Sequence, residues 1–113
     1  MNESSQLKKG VLDILVLHLL GSADLYGYQL ISELDERSRG YFRMKEGTLY
    51  PVLYRLEDGG YIESYWEEKD AAKRGAPRKY YRITQDGRTR EQELKADLKH
   101  FMTSIQHVLG GDL

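Results

Sequence analysis

The chain has no cysteine among its 113 residues, which removes disulfides, thiolate nucleophiles and cysteine-based zinc sites together and fits a reducing interior. Its longest apolar run, Val11 to Leu20, is broken by Asp13 and His18 and falls well short of the ~20 residues that a membrane-spanning helix requires. The opening MNESSQLKKG lacks the charged-then-apolar layout of a secretory signal. A cytoplasmic protein with no membrane partner is therefore expected. Catalytic signatures are missing too: no glycines stand at GxG spacing, and there is no Walker loop or GxSxG elbow. His18, His100 and His107 come without an HExxH pattern or a cysteine partner, so they read as surface or interface histidines rather than metal ligands. Neither a cofactor nor an enzymatic activity is expected.

What is present is an ordinary soluble composition, 40% apolar and 31% charged, on a chain of single-domain length. A domain this small buries only about two thirds of its unfolded surface, so a long amphipathic segment left over tends to find a partner chain. The overall charge is close to neutral, with 17 basic against 18 acidic residues. Its distribution is uneven. Between Lys69 and Arg90 eight basic residues face two acidic ones, a balance of +6, and the rest of the chain carries −7. A polyanion responds to local potential rather than to the total, so this segment is a candidate nucleic-acid contact.

Leu7 to Leu20 is apolar on nearly every side, the mark of a helix buried around most of its circumference. Ser22 and Asp24 offer cap oxygens for a second helix, with Tyr28, Leu30, Ile31 and Leu34 facing inward and a stop near Gly40. GTLYPVLYRLEDGG, Gly47 to Gly60, predicts a third: Leu49, Val52, Leu53 and Leu56 gather on one face, leaving Thr48, Tyr50, Pro51, Tyr54 and Arg55 on the other. With Thr48 as its cap, Pro51 stands at the third helical position, and Gly59-Gly60 ends the helix. YIESYWEE and RKYYRIT bracket DAAKRGAP, which predicts a two-stranded hairpin with a long basic tip. From Thr84 to about Leu109 a last helix repeats Leu94, Leu98, Phe101, Ile105 and Val108 as a heptad seam. Such a helix is ~37 Å long, more than the body of the domain is wide, and its seam needs another protein surface.

The fold expected is mainly α with a β-hairpin: a winged helix-turn-helix over residues 1–84 and a C-terminal dimerisation helix over 85–113. LYGYQL at Leu25 to Leu30, EGTLYPVLYRLEDGGYI at Glu46 to Ile62 and GAPRKYYRIT at Gly75 to Thr84 resemble the signature segments of the PadR family of bacterial transcriptional regulators. With one C-terminal helix, the chain resembles the family's short subgroup. The resemblance implies a dimeric DNA-binding repressor in which the last helix packs on the first helix of the other chain. Leu12, Leu15 and Leu19 would then meet Leu94, Leu98, Phe101, Ile105 and Val108. Where some short members hold flat drugs between tryptophans of the last helix, this chain has Phe101 and Met102, and its only tryptophan is Trp66 in the hairpin.

Four residues of the third helix, Thr48, Tyr50, Tyr54 and Arg55, are expected to face DNA, the hydroxyls suiting phosphate oxygens and the arginine either phosphate or guanine. The plainer reading is that a tyrosine packs on the hairpin with its ring covered. Tyr26 is assigned to DNA and Tyr28 to packing. Lys73, Arg74, Arg78 and Lys79 at the hairpin tip are expected on phosphates rather than serving solubility alone. The partners expected are double-stranded DNA and a second copy. Two alternatives stand beside this one: a winged-helix module that binds an acidic protein, and a regulator whose small-molecule effector sits at a dimer centre lined by Leu15, Phe101 and Met102.

Overall fold

The computed structural model describes residues 3–68 and 75–111, with side chains from residue 10 onward. In chain order the elements are α1 (Glu3–Ser22), β1 (Leu25–Tyr26), α2 (Gly27–Arg37), α3 (Glu46–Asp58), β2 (Ile62–Trp66), β3 (Lys79–Ile83) and α4 (Gln85–Leu109). The core joins Leu12, Val16, Leu17, Leu19 and Leu20 of α1 to Leu30 and Leu34 of α2 and to Leu49, Val52, Leu53 and Leu56 of α3. Ile62, Tyr81 and Ile83 close it from the sheet. The winged helix-turn-helix and the long last helix are both present.

Two helix starts differ from the sequence reading. Ser22 ends α1 instead of capping α2, and the Asp24 carboxylate accepts a 2.6 Å hydrogen bond from the Tyr65 hydroxyl. Leu25 and Tyr26 pair with β3, so α2 begins only at Gly27, with the Tyr26 N–H donating to the Gln29 side chain. The later start turns Gly27, Leu30 and Leu34 inward and leaves Tyr28 72% exposed, not packed. Likewise α3 starts after Lys45 rather than Thr48. Pro51 consequently lies inside the helix, and the carbonyl of exposed Gly47 loses its N–H partner. At the other end Gly59 stays right-handed, and Gly60, at φ 77°, supplies the left-handed turn.

The sheet is antiparallel in the order β1-β3-β2. Ile62 pairs with Ile83 and Ser64 with Tyr81, both on the face toward the helices, whereas Glu63–Arg82 and Tyr65–Tyr80 pair on the outer face. Thr84 caps α4 by accepting from the Gly87 N–H at 3.1 Å. The first half of α4 packs on α1, and the remainder extends away. The Cα radius of gyration, 16.0 Å, exceeds the roughly 13 Å of a compact chain this long. On the seam Leu94, Leu98 and Ile105 are half-buried, while Phe101 is 51% and Val108 86% exposed.

Glu91 fastens α4 to α1. It is 7% exposed and accepts from Lys95 Nζ at 2.8 Å and from His18 Nδ1 at 3.1 Å. Burial pushes its pKa up, but the hydrogen bonds and charges of Lys95 and His18 outweigh burial and hold the carboxyl below its ordinary value. A depressed folded pKa stabilises fully above the unfolded value, about 4.3, and that contribution is lost as pH falls through the folded one. Glu91→Gln should therefore cost about 1–3 kcal/mol in urea unfolding at pH 7. The gap to the parent should narrow as the pH is lowered below about 4.3. A gap that stays constant into acid would exclude the ionised carboxylate as its source.

Candidate nucleic-acid interface

On α3, Thr48, Pro51, Tyr54 and Arg55 are exposed, and Tyr50 is half-buried. Tyr50 lies against α2: a Cβ at Gly27 would overlap its hydroxyl, so glycine is what lets the two helices approach here. The rings of Tyr50 and Tyr54 are 6.2 Å apart. Tyr50 also packs on the core that holds Tyr81 of β3, whose hydroxyl is pushed up to about 12, first by burial and then by Tyr50, Glu57 and Tyr54. Tyr50 thus ties α3 to α2 and to the core.

Arg55, exposed on the outer face of α3, has a partner within the chain. Its guanidinium is held by the Asp13 carboxylate of α1, a pairing across 42 residues that no local pattern announces. Tyr26 likewise has partners within the chain. Pairing of β1 with β3 sets its ring edge-on to Tyr80 at 5.3 Å, and Tyr80 stacks on Tyr65 at 5.7 Å. Arg78 lies 4.8 Å over Tyr26, and Arg82 lies 5.0 Å over Tyr65 while pairing with Glu63. These rings form a row across three strands with guanidinium groups on it. The Tyr65 hydroxyl is raised by its hydrogen bond to Asp24, and burial adds to the shift.

In the wing, Arg78 is exposed and Lys79 half-buried; Lys73 and Arg74 lie outside the described residues. A chain of contacts links exposed Arg78 over Tyr26 to the start of α2 at buried Gly27, and on through half-buried Tyr50 to exposed Tyr54. Two exposed residues at the starts of α2 and α3 were not legible in the sequence. Exposed Lys45 stands at the N-cap of α3 with no ion pair among the described residues, and moving the helix start from Thr48 to Glu46 would have found it. Exposed Tyr28 borders Gly27, and only the strand pairing of Tyr26 reveals its orientation.

Of the residues read as dimer contacts, Leu12 and Leu19 belong to the chain's own core and offer nothing to a second copy. Leu15 lines an apolar cavity of about 280 Å³ between α1 and α2, with His18, Leu34 and Phe42. Phe101 lies instead in a groove with Val11, Ile14, Leu94 and Leu98, and Met102 borders a third hollow with Lys95 and Lys99. A single chain does not gather Leu15, Phe101 and Met102 into one pocket. No group of three potential metal-ligating side chains occurs among the described residues, and none of the described helices is long and apolar enough to cross a membrane.

Residues 16–104 match the PadR-like family of transcriptional regulators. A transcriptional regulator of Mycobacterium tuberculosis is 32% identical over 106 residues, covering 94% of this chain and 90% of that protein. The solved structure of a transcriptional regulator from Clostridium thermocellum superposes with a TM-score of 0.81 at 30% identity, over 90% of this chain and 96% of the other. A PadR-like transcription factor from Bacteroides fragilis gives 0.78 at 33% identity, over 96% and 99%. Fold and likeness together define a winged-helix protein that regulates transcription by binding DNA. The chain belongs to the PadR-like family of transcriptional regulators.

Proposed function

We propose that the protein is a homodimeric repressor that occupies a palindromic operator. Residues 1–84 are the DNA-binding unit and residues 85–113 the dimerisation helix. α3 enters the major groove with Thr48 and Tyr54 foremost, Lys45 and Tyr28 flank it on phosphates, and the wing, through Arg78 and Lys79, meets the backbone or the adjacent minor groove. The observation that carries this reading is the chain of contacts from Arg78 through Tyr26 and buried Gly27 to Tyr50 and Tyr54, which ties wing, α2 and α3 into one unit with exposed Arg78 and Tyr54 at its ends. Dimerisation is supported by the exposed Phe101 and Val108 on an α4 that extends beyond its own core. Arg55 serves in this reading as the tie between α3 and α1.

Selection of bound sequences from a random duplex pool tests it. A twofold operator should emerge, with half-sites one helical turn or a multiple of it apart; a product without twofold symmetry would contradict the proposal. Lys45→Ala should make the plot of log affinity against log salt shallower by about 0.9 per phosphate contact, or twice that for a dimer. An unchanged slope would remove Lys45 from the interface.

A further inference from the structure

We infer that Trp66 and Lys79 form the inner jaw of the wing and press on the backbone of the bound duplex, Trp66 by apolar contact with deoxyribose and Lys79 by its charge on phosphate. The inference rests on the DNA-binding reading above and adds to it a contact made by an aromatic side chain rather than a cation.

Trp66 is the last residue of β2, is paired with Lys79 across the hairpin, and is 63% exposed. Side chains alternate along a strand, so Trp66 shares its face with Ser64 and Ile62. That face is the one α3 covers: Ile62 is buried in the core, and the Ser64 hydroxyl donates to Glu57 of α3 at 2.6 Å. Opposite them on β3 stand Ile83, Tyr81 and Lys79, and Tyr81 belongs to the core on which Tyr50 of α3 packs. Lys79 Nζ lies 5.9 Å from both the Trp66 and the Tyr81 ring centroids, bridging the covered part of the face to its open end. Trp66 and Lys79 are thus where this face runs out from under α3, on the same side of the sheet as that helix. A duplex seated on α3 lies before them. Tyr26, Tyr80 and Tyr65 stand on the opposite face of the sheet, with Arg78 over Tyr26 at the wing end.

The chemistry suits a backbone better than a base edge. An indole offers one N–H donor and a broad apolar surface, which match a phosphate oxygen and the adjoining sugar but cannot distinguish one base pair from another. Lys79 beside it supplies the charge that draws the phosphate in. The contact is therefore independent of sequence and sets the position of the wing.

As the chain's only tryptophan, Trp66 reports on itself. Titration of the full chain with a mixed-sequence duplex should shift its emission to shorter wavelength and reduce its quenching by acrylamide. Trp66→Ala, with its fold checked by circular dichroism, should weaken binding to that duplex and to the selected palindrome alike by about tenfold, the effect of burying part of one aromatic side chain. Its salt slope should equal the parental one, whereas Lys79→Ala should flatten the slope by about 0.9 per contact. Trp66→Phe, which keeps a ring, should recover most of the affinity. If the wild type binds duplex while quenching of Trp66 stays unchanged, or if Trp66→Ala binds with parental affinity, the inference is overturned and the DNA-binding reading stands. If the wild type retains no duplex at all, both fall.

Discussion

Gly87→Ala is expected to destabilise the protein by about 3 kcal/mol, at the upper end of what overpacking costs. Gly87 is buried in the first turn of α4, where a Cβ would overlap the Tyr61 carbonyl oxygen and stand 2.7 Å from Cγ1 of Ile83. Neither neighbour can yield easily. The Tyr61 carbonyl accepts from the Thr84 N–H at 3.1 Å, and Ile83 is a core residue paired with Ile62. The start of α4 would have to lift from the sheet, taking the Thr84 cap with it. For a domain of this size the loss corresponds to a fall in Tm of roughly 12 °C or more. Gly47→Ala is the control: it lies at an exposed helical position with nothing within 4 Å of the added carbon. There stability should hold or rise by up to about 1 kcal/mol. Equal melting of the two variants would show that the close approach at Gly87 does not constrain the fold.

Phe101→Glu is expected to break the dimer. Phe101 is half exposed in the single chain, in a groove with Val11, Ile14, Leu94 and Leu98. Covering that groove with a second copy would bury a carboxylate without a partner, at a cost on the order of 3 kcal/mol or more. That is about a hundredfold in the dimer dissociation constant, and twofold symmetry places the charge in the interface twice. The folded chain should survive, since its own core ends short of this position. Sedimentation should show a monomer with unchanged helical content, and binding to a twofold operator should weaken with the loss of the second half-site. A Phe101→Glu protein that remains dimeric at micromolar concentration would move the interface elsewhere.

The parts of the fold that were legible in the sequence are those fixed by neighbours along the chain. The inward face of α3, from Leu49 to Leu56, follows from helical spacing, and the Thr84 cap with the seam behind it marks α4 nearly to the residue. What was not legible depends on distant pairing. Tyr28 was read as core because nothing in LYGYQL announces that Leu25 and Tyr26 pair with Tyr81 and Tyr80 and delay the helix. The ion pair of Arg55 was not legible because Asp13 is 42 residues away in sequence. The start of α3 was misplaced because Lys45 caps it without a side-chain hydrogen bond, so the usual Ser, Thr, Asp or Asn signature is missing. Leu12 and Leu19 were assigned to a second copy because an all-round apolar helix does not reveal which side its own core takes.

Stoichiometry on DNA tests the central claim most directly, the claim being that two chains joined through α4 present two equivalent reading surfaces to one duplex. Sedimentation velocity of the full chain mixed with its selected duplex measures the mass of the complex. The account predicts two chains on each duplex at low salt, released together as salt is raised. One chain per duplex, or a complex unaffected by salt, would contradict it.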